Sequence, residues 1–252
     1  MDFTPMVAFG VLLVRIGMLV ATAPLLGSTW APMQVKVGLT AILAVVLMPF
    51  VTLPTLATPA ALTVVVAHEA MVGLALSFSV RILLAAAELG GYMVGFQLGF
   101  GYAAVIDPQS GVRNNLLAVL YGSLTAWVLL GTNLHHQIIR LLAATYVSVP
   151  VAATLAVSQS VVDTVVRMLG LIFTIGAQLA APIVLVLLFV ELVMGLISRA
   201  APSLNLMVIG APLRLLVGLA SLGVAIQVVP SVMTRVSTWG MDLSAQLALA
   251  FR

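Results

Sequence analysis

A chain of 252 residues that is 63% hydrophobic and only 7% charged cannot clothe a water-soluble globule, where about 45–50% apolar and about 25% charged residues are usual. The apolar excess also excludes a disordered chain. With no cysteine, disulfides, thiol catalysis and thiolate metal ligation are closed to it. The net charge of +3 and the pI near 9.8 come from cations scattered singly, with no basic cluster to follow a phosphate backbone, so nucleic acid is not a partner. A mean hydropathy of +1.26 leaves a polytopic integral membrane protein, or a subunit buried in a membrane complex. The N-terminal Met-Asp-Phe-Thr-Pro-Met carries an acid and no basic region, so the first apolar run reads as a retained helix, not a cleaved signal.

Start and stop signals divide the chain. Thr4 and Pro5 read as an N-cap and first helical residue, opening a helix over about 5–26 that closes near Pro24, Gly27 and Ser28. A second is expected over about 32–52, with Pro49, Pro54 and Pro59 punctuating an uncharged linker. The third, over about 60–88, is expected to break at Gly90-Gly91 and give way to a glycine-rich helix over about 91–105. Asp107-Pro108-Gln109-Ser110-Gly111 has the composition of a turn. Further helices are expected over about 113–131 and about 133–148, and residues 151–159 read as a loop. Ser160-Val161-Val162-Asp163 has the form of a capping box. It opens a helix to about 200, bent at Pro182 and closed by Pro202. The last long helix covers about 206–235, bent at Pro212 and ended by Pro230, with a tail helix over about 239–250.

The continuous Val, Leu and Ala runs lack the alternation of a transmembrane β-barrel. The fold class is therefore all-α: membrane-type helical hairpins with broken helices, in one domain whose halves cover about 1–110 and about 111–252.

Uncharged runs such as 37–68, 114–139 and 168–190 are long enough for a span of about 20 residues. Charges nevertheless fall where a plain span would not carry them. Arg15 is mid-helix, Arg81 and Glu88 lie deep in the third helix, Glu191 and Arg199 near the end of the long one, and Arg214 within the last. A central charge facing lipid costs at least about 2.5–3.5 kcal/mol, so many helix faces are expected to meet protein or water. Arg81 and Glu88 share a face and are too far apart to pair with each other, so they seek partners on another helix or subunit. Asp163 and Arg167 form an ordinary helix-stabilising pair.

Gly91, Gly95, Gly99 and then Ala103 recur at four-residue spacing, a smooth face for close helix approach, within the chain or in a larger assembly. Asn133, His136, Gln137 and Arg140 make a polar stripe that suits either a wet channel or a helix at the membrane surface. His68-Glu69 is followed by Ala-Met-Val, so the His-Glu-x-x-His zinc motif fails, and His135-His136 point to different faces. Without a phosphate loop, dinucleotide fingerprint or nucleophile elbow, no catalytic site, metal or cofactor is expected. Ala31-Pro-Met-Gln-Val-Lys-Val-Gly-Leu39 echoes Ala211-Pro-Leu-Arg-Leu-Leu-Val-Gly-Leu219, which keeps a small-solute transporter built from repeated hairpins as a rival. An intramembrane enzyme at His68-Glu69 or His135-His136 is a second rival.

Two blocks carry a resemblance to a known family. Glu191-Leu-Val-Met-Gly-Leu-Ile-Ser-Arg-Ala-Ala-Pro-Ser-Leu-Asn205 followed by Gly210-Ala-Pro-Leu-Arg214, and Gly95-Phe-Gln-Leu-Gly-Phe-Gly-Tyr-Ala103 followed by Asp107-Pro-Gln-Ser-Gly111, resemble the flagellar biosynthetic protein FliR family. Length, helix order, Arg15 and the Pro32–Gly38 stretch agree. The virulence-secretion homologues, the SctT group, share the pattern, and both blocks read closer to the flagellar branch.

The resemblance implies a non-enzymatic, single-copy subunit of the type III export gate at the flagellar basal body, multi-pass in the bacterial inner membrane and in contact with lipid. FliP and FliQ would complete a helical pore for unfolded flagellar proteins, and the FlhB export switch would wrap its cytoplasmic side. The resemblance also implies a gate largely above the bilayer plane, with Arg15, Arg81, Glu88, Glu191, Arg199 and Arg214 facing neighbouring subunits. A plug loop would comprise Asp107, Pro108, Gln109, Ser110, Gly111, Val112, Arg113 and Asn114.

Overall fold

A computed structural model describes residues 4–24, 31–51, 59–100, 115–151, 159–203 and 206–249. Among them every regular element is helical: α1 (Thr4–Thr22), α2 (Met33–Leu47) with a 3-10 turn at Met48–Phe50, α3 (Pro59–Gln97), α4 (Leu116–Gly131), α5 (Leu134–Ser148), α6 (Gln159–Ala200), α7 (Leu206–Ala225) and α8 (Val228–Leu249). The all-α expectation holds. Prolines mark starts: Pro5 and Pro59 occupy first turns, where a missing N–H is harmless. Met33–Phe50, Ala60–Gln97 and Gln159–Ala200 are long and apolar enough to cross a membrane.

The chain forms two compact units that interleave along the sequence instead of dividing near residue 110. One holds Met1–Ile82, Asn133–Leu169 and Ser237–Arg252, the other Leu83–Thr132 and Gly170–Val236. In the first unit α1 and α3 run parallel, since Arg15 meets Glu69, Met18 meets Gly73 and Thr22 meets Ser77. Gly73 makes this possible: a Cβ there would strike the Arg15 carbonyl and stand 3.0 Å from the Met18 Cβ. Leu12, Ile16 and Leu19 of α1, Val65 and Val72 of α3, and Leu134 and Leu142 of α5 are buried. On α2 only Thr40, Ala44 and Leu47 are buried, so most of that apolar helix stands uncovered.

In the second unit the expected break at Gly90-Gly91 does not occur, and α3 passes through both glycines. The reason is packing on two sides. A Cβ on Gly90 would lie 2.9 Å from the Gly176 carbonyl of α6, while one on Gly91 would lie 2.7 Å from the Ala118 Cα of α4. Close backbone contact on both faces offsets the intrinsic penalty of about 0.5–1 kcal/mol per helical glycine. A second correction concerns Pro230. The break falls at Ile226-Gln227 and turns the axis by 50°. Pro230 then sits in the first turn of α8, which absorbs the expected tail helix. Ser160 likewise lies inside α6, one residue after its start, so it is not the N-cap. The sequence echo falls at unlike places, because Pro32 is the N-cap of α2 whereas Pro212 lies inside α7.

The unit's apolar core includes Val94, Tyr121, Leu129, Ile175, Ile183 and Leu187. The opposite side of α6 is bare, with Phe173, Leu185, Phe189, Leu192 and Leu196 between 61% and 70% exposed. An apolar face of that extent needs lipid or protein against it.

Candidate functional site: a buried ion cluster and the anchors of residues 101–114

Arg15, Glu69 and His68 are all buried in the first unit, Arg15 and Glu69 at 0% exposure. The parallel register of α1 and α3 brings the two charges together. Arg15 Nε donates to Glu69 Oε2 at 2.8 Å and Nη2 to Glu69 Oε1 at 2.7 Å, the bidentate fork that gives arginine–carboxylate pairs their strength. Nη1 donates to Thr145 Oγ1 at 3.2 Å, and Nη2 also to the Val149 carbonyl at 3.0 Å. That carbonyl belongs to the C-cap residue of α5, so the cation meets the negative end of a helix. The guanidinium carbon lies 4.3 Å from the centre of the Tyr146 ring, a cation–π contact. His68 Nδ1 lies 3.4 Å from Glu69 Oε1. The cluster therefore pins α1, α3 and α5 through one cation. This corrects the expectation that Arg15 faces a neighbouring subunit.

The Tyr146 hydroxyl is buried and has no hydrogen-bond partner among the described residues. Tyr146→Phe is accordingly expected to change stability by no more than about 0.5 kcal/mol, since it keeps the ring and removes only an unsatisfied polar group. Tyr146→Leu should cost about 1–2 kcal/mol more through the lost cation–π contact and packing. Heat denaturation of the detergent-purified chain separates the two.

In the second unit the glycine ladder divides by role. Gly91 and Gly95 receive the N-terminal end of α4. A Cβ on Gly95 would collide with the Asn115 amide, and one on Gly91 with the Leu117 carbonyl. Asn115 caps α4 by accepting from Leu117 N at 3.0 Å, and its Nδ2 donates to the Tyr92 carbonyl at 3.2 Å. Gly99 does something else, for its φ of 92° is left-handed. Phe100 N donates to Gly95 O at 2.9 Å and Gly99 N to Phe96 O at 3.1 Å, the two bonds of a Schellman motif that ends α3. The described residues on either side of 101–114 are thus a glycine cap and an asparagine clamp. The expected plug residues Asp107, Pro108, Gln109, Ser110, Gly111, Val112, Arg113 and Asn114, and the fourth ladder position Ala103, lie outside the described residues.

The other charges are more open. Arg214 Nη2 and Glu191 Oε1 are 3.0 Å apart at 34% and 36% side-chain exposure, a pair worth only about 0–1 kcal/mol at such openness. Both therefore have a partner inside the chain. Arg81, Glu88 and Arg199 are exposed, and Arg199 lies in the last turn of α6, where a cation suits the helix dipole. Asn133, His136, Gln137 and Arg140 are all exposed, on one face. Asp163 accepts from Gln159 at 3.3 Å. Sequence reading missed Thr145, Tyr146 and Asn115, and took Glu69 only as half of a failed zinc motif. The available signal was a lone carboxylate and a lone arginine, each inside an apolar helix, where each must find an opposite charge.

A model of the family described as bacterial export proteins, family 1, matches residues 6–238. The chain is 30% identical to the flagellar biosynthetic protein FliR of Pectobacterium carotovorum subsp. carotovorum, over 93% of its own length and 90% of that relative's. It is 32% identical to FliR of Escherichia coli (strain K12), over 82% and 80% of the two lengths. The Yop proteins translocation protein T of Yersinia pestis is 29% identical over 61% and 59%.

Proposed function

The chain belongs to family 1 of the bacterial export proteins, and from that membership we propose that it is a non-enzymatic core subunit of the flagellar type III export gate. It joins FliP and FliQ subunits around a pore for unfolded flagellar proteins, in the inner membrane at the basal body, with FlhB as a further partner on the cytoplasmic side. The observation that carries this reading is the likeness to two FliR proteins over 93% and 82% of the chain. The likeness to the virulence-type relative covers 61%, which favours the flagellar branch.

The physical features agree with an assembled subunit. Most of α2 and one side of α6 present apolar side chains with no cover of their own, the condition of helices that dock against sister polypeptides or lipid. Of the charges expected at subunit contacts, Glu88 and Arg199 are exposed in the single chain and left to face neighbours, while Arg81, also exposed, borders a groove of the first unit. Asp107–Asn114, in the stretch between the Gly99 cap and the Asn115 clamp, are the proposed plug, since a loop on fixed helix ends moves without dismantling its scaffold.

Detergent purification of the tagged chain co-expressed with FliP and FliQ tests the reading. Both partners are expected to remain bound, and a stable single-component species would favour a transporter. Deleting Gln109–Val112 is expected to leave the complex assembled and raise its ion conductance several-fold in reconstituted bilayers. Unchanged conductance would remove the plug assignment.

A further inference from the structure

A groove of about 510 Å³ opens in the first unit, bordered by the end of α1, the middle of α3 and the start of α6. Its wall is apolar: Met71, Leu74, Ala75 and Phe78 from α3, Val161 and Val165 from α6. The hydroxyls of Thr22 and Ser77, also on the wall, are hydrogen-bonded to each other at 2.6 Å. Among the described residues the one charge on the lining is Arg81, which is exposed and has no carboxylate partner. A long apolar trough thus ends in a single available cation.

Its length is informative. From Met71 to Arg81 the groove runs along ten residues of α3, about 15 Å at about 1.5 Å per residue. That is half of the hydrocarbon thickness of about 30 Å, the depth of one leaflet. A cation at the end of a leaflet-deep apolar trough is complementary to a lipid with an anionic headgroup, and the arginine fork matches phosphate oxygens. A sister helix fits less well. Close helix packing uses small residues, and this wall presents Met71, Leu74 and Phe78, while Gly73 on the same helix is already taken by α1. We propose that the groove holds one anionic phospholipid, an acyl chain lying along α3 from Phe78 to Met71 and the phosphate seated on the Arg81 guanidinium. The site rests on the apolar helices alone and stands whether or not the chain serves an export gate.

Native mass spectrometry of the full chain, with any subunits that co-purify, tests it using phosphatidylglycerol and phosphatidylethanolamine of equal acyl length. One phosphatidylglycerol is expected to be retained about five- to tenfold over phosphatidylethanolamine, the preference one interfacial cation supplies. Arg81→Gln should abolish the preference, Arg81→Lys should keep most of it, and the groove-filling Leu74→Trp should lower retention of both lipids. Arg81 and Leu74 are exposed, so these variants keep the core intact. Equal retention of the two lipids, or a preference that survives Arg81→Gln, overturns the proposal. So does a Leu74→Trp variant that loses a sister subunit while its lipid content is unchanged, since the groove would then seat a protein helix.

Discussion

Glu69→Leu alone is expected to destabilise the chain by about 3–5 kcal/mol, because it strands a fully buried guanidinium without its counter-charge. Among the described residues Arg15 would keep Thr145, the Val149 carbonyl and the Tyr146 ring, none of which carries a negative charge. The double variant Arg15→Met, Glu69→Leu is expected to recover most of that loss. Replacing a whole buried pair by apolar groups of similar size is often neutral or better. Thermal unfolding of the detergent-purified chain, read by protease resistance, measures both. A single variant as stable as the parent would mean that the pair does not hold α1, α3 and α5 together. The comparison also separates structure from function: if the double variant folds but fails to support swimming, the cluster has a task beyond packing.

Gly91→Val is the second large effect. The atoms that its Cβ would meet are backbone, the Leu117 carbonyl and the Ala118 Cα at 2.7 Å. These cannot swing aside as a side-chain tip would, so α4 must move off α3. A loss of about 2–3 kcal/mol is expected, with displacement of the Asn115 clamp and lower recovery of partner subunits. Gly195→Ala and Gly170→Ala are the controls. A Cβ at either meets nothing within 4 Å, so each should be neutral or stabilising by up to about 1 kcal/mol. If all three variants melt together, close approach at Gly91 is not what seats α4.

The helices were legible because their signals are local. Pro5, Pro59 and the closing glycine at 131 act within one turn, and the apolar runs between them admit no other element. What misled was punctuation whose meaning depends on distant neighbours. Gly90-Gly91 reads as a break on propensity, yet α6 and α4 approach one glycine each and keep the helix whole. Pro230 reads as a stop, but once the chain has already broken at Gln227 it falls in a first turn, where its missing N–H has no partner to lose. The ladder of Gly91, Gly95 and Gly99 looked uniform by spacing. Only the backbone separates two contact glycines from one whose φ of 92° ends the helix. Arg15 and Glu69 lie 54 positions apart, and no periodicity links them. Their meeting depends on the parallel register of α1 and α3, which Gly73 permits and the sequence alone does not announce.

The continuity of α3 has a geometric consequence. Thirty-nine helical residues make a rod of about 58 Å at about 1.5 Å per residue. A hydrocarbon layer of about 30 Å accommodates no more than about 39 Å of it, even at the steepest common tilt of about 40°. At least about 19 Å of the helix therefore stands outside any single layer. Tyr92 and Phe96, four apart and exposed, form an aromatic edge on the last turns of α3. Where the helix stands outside the hydrocarbon, any seal must exclude ions by protein surfaces alone, with no contribution from the bilayer as insulator.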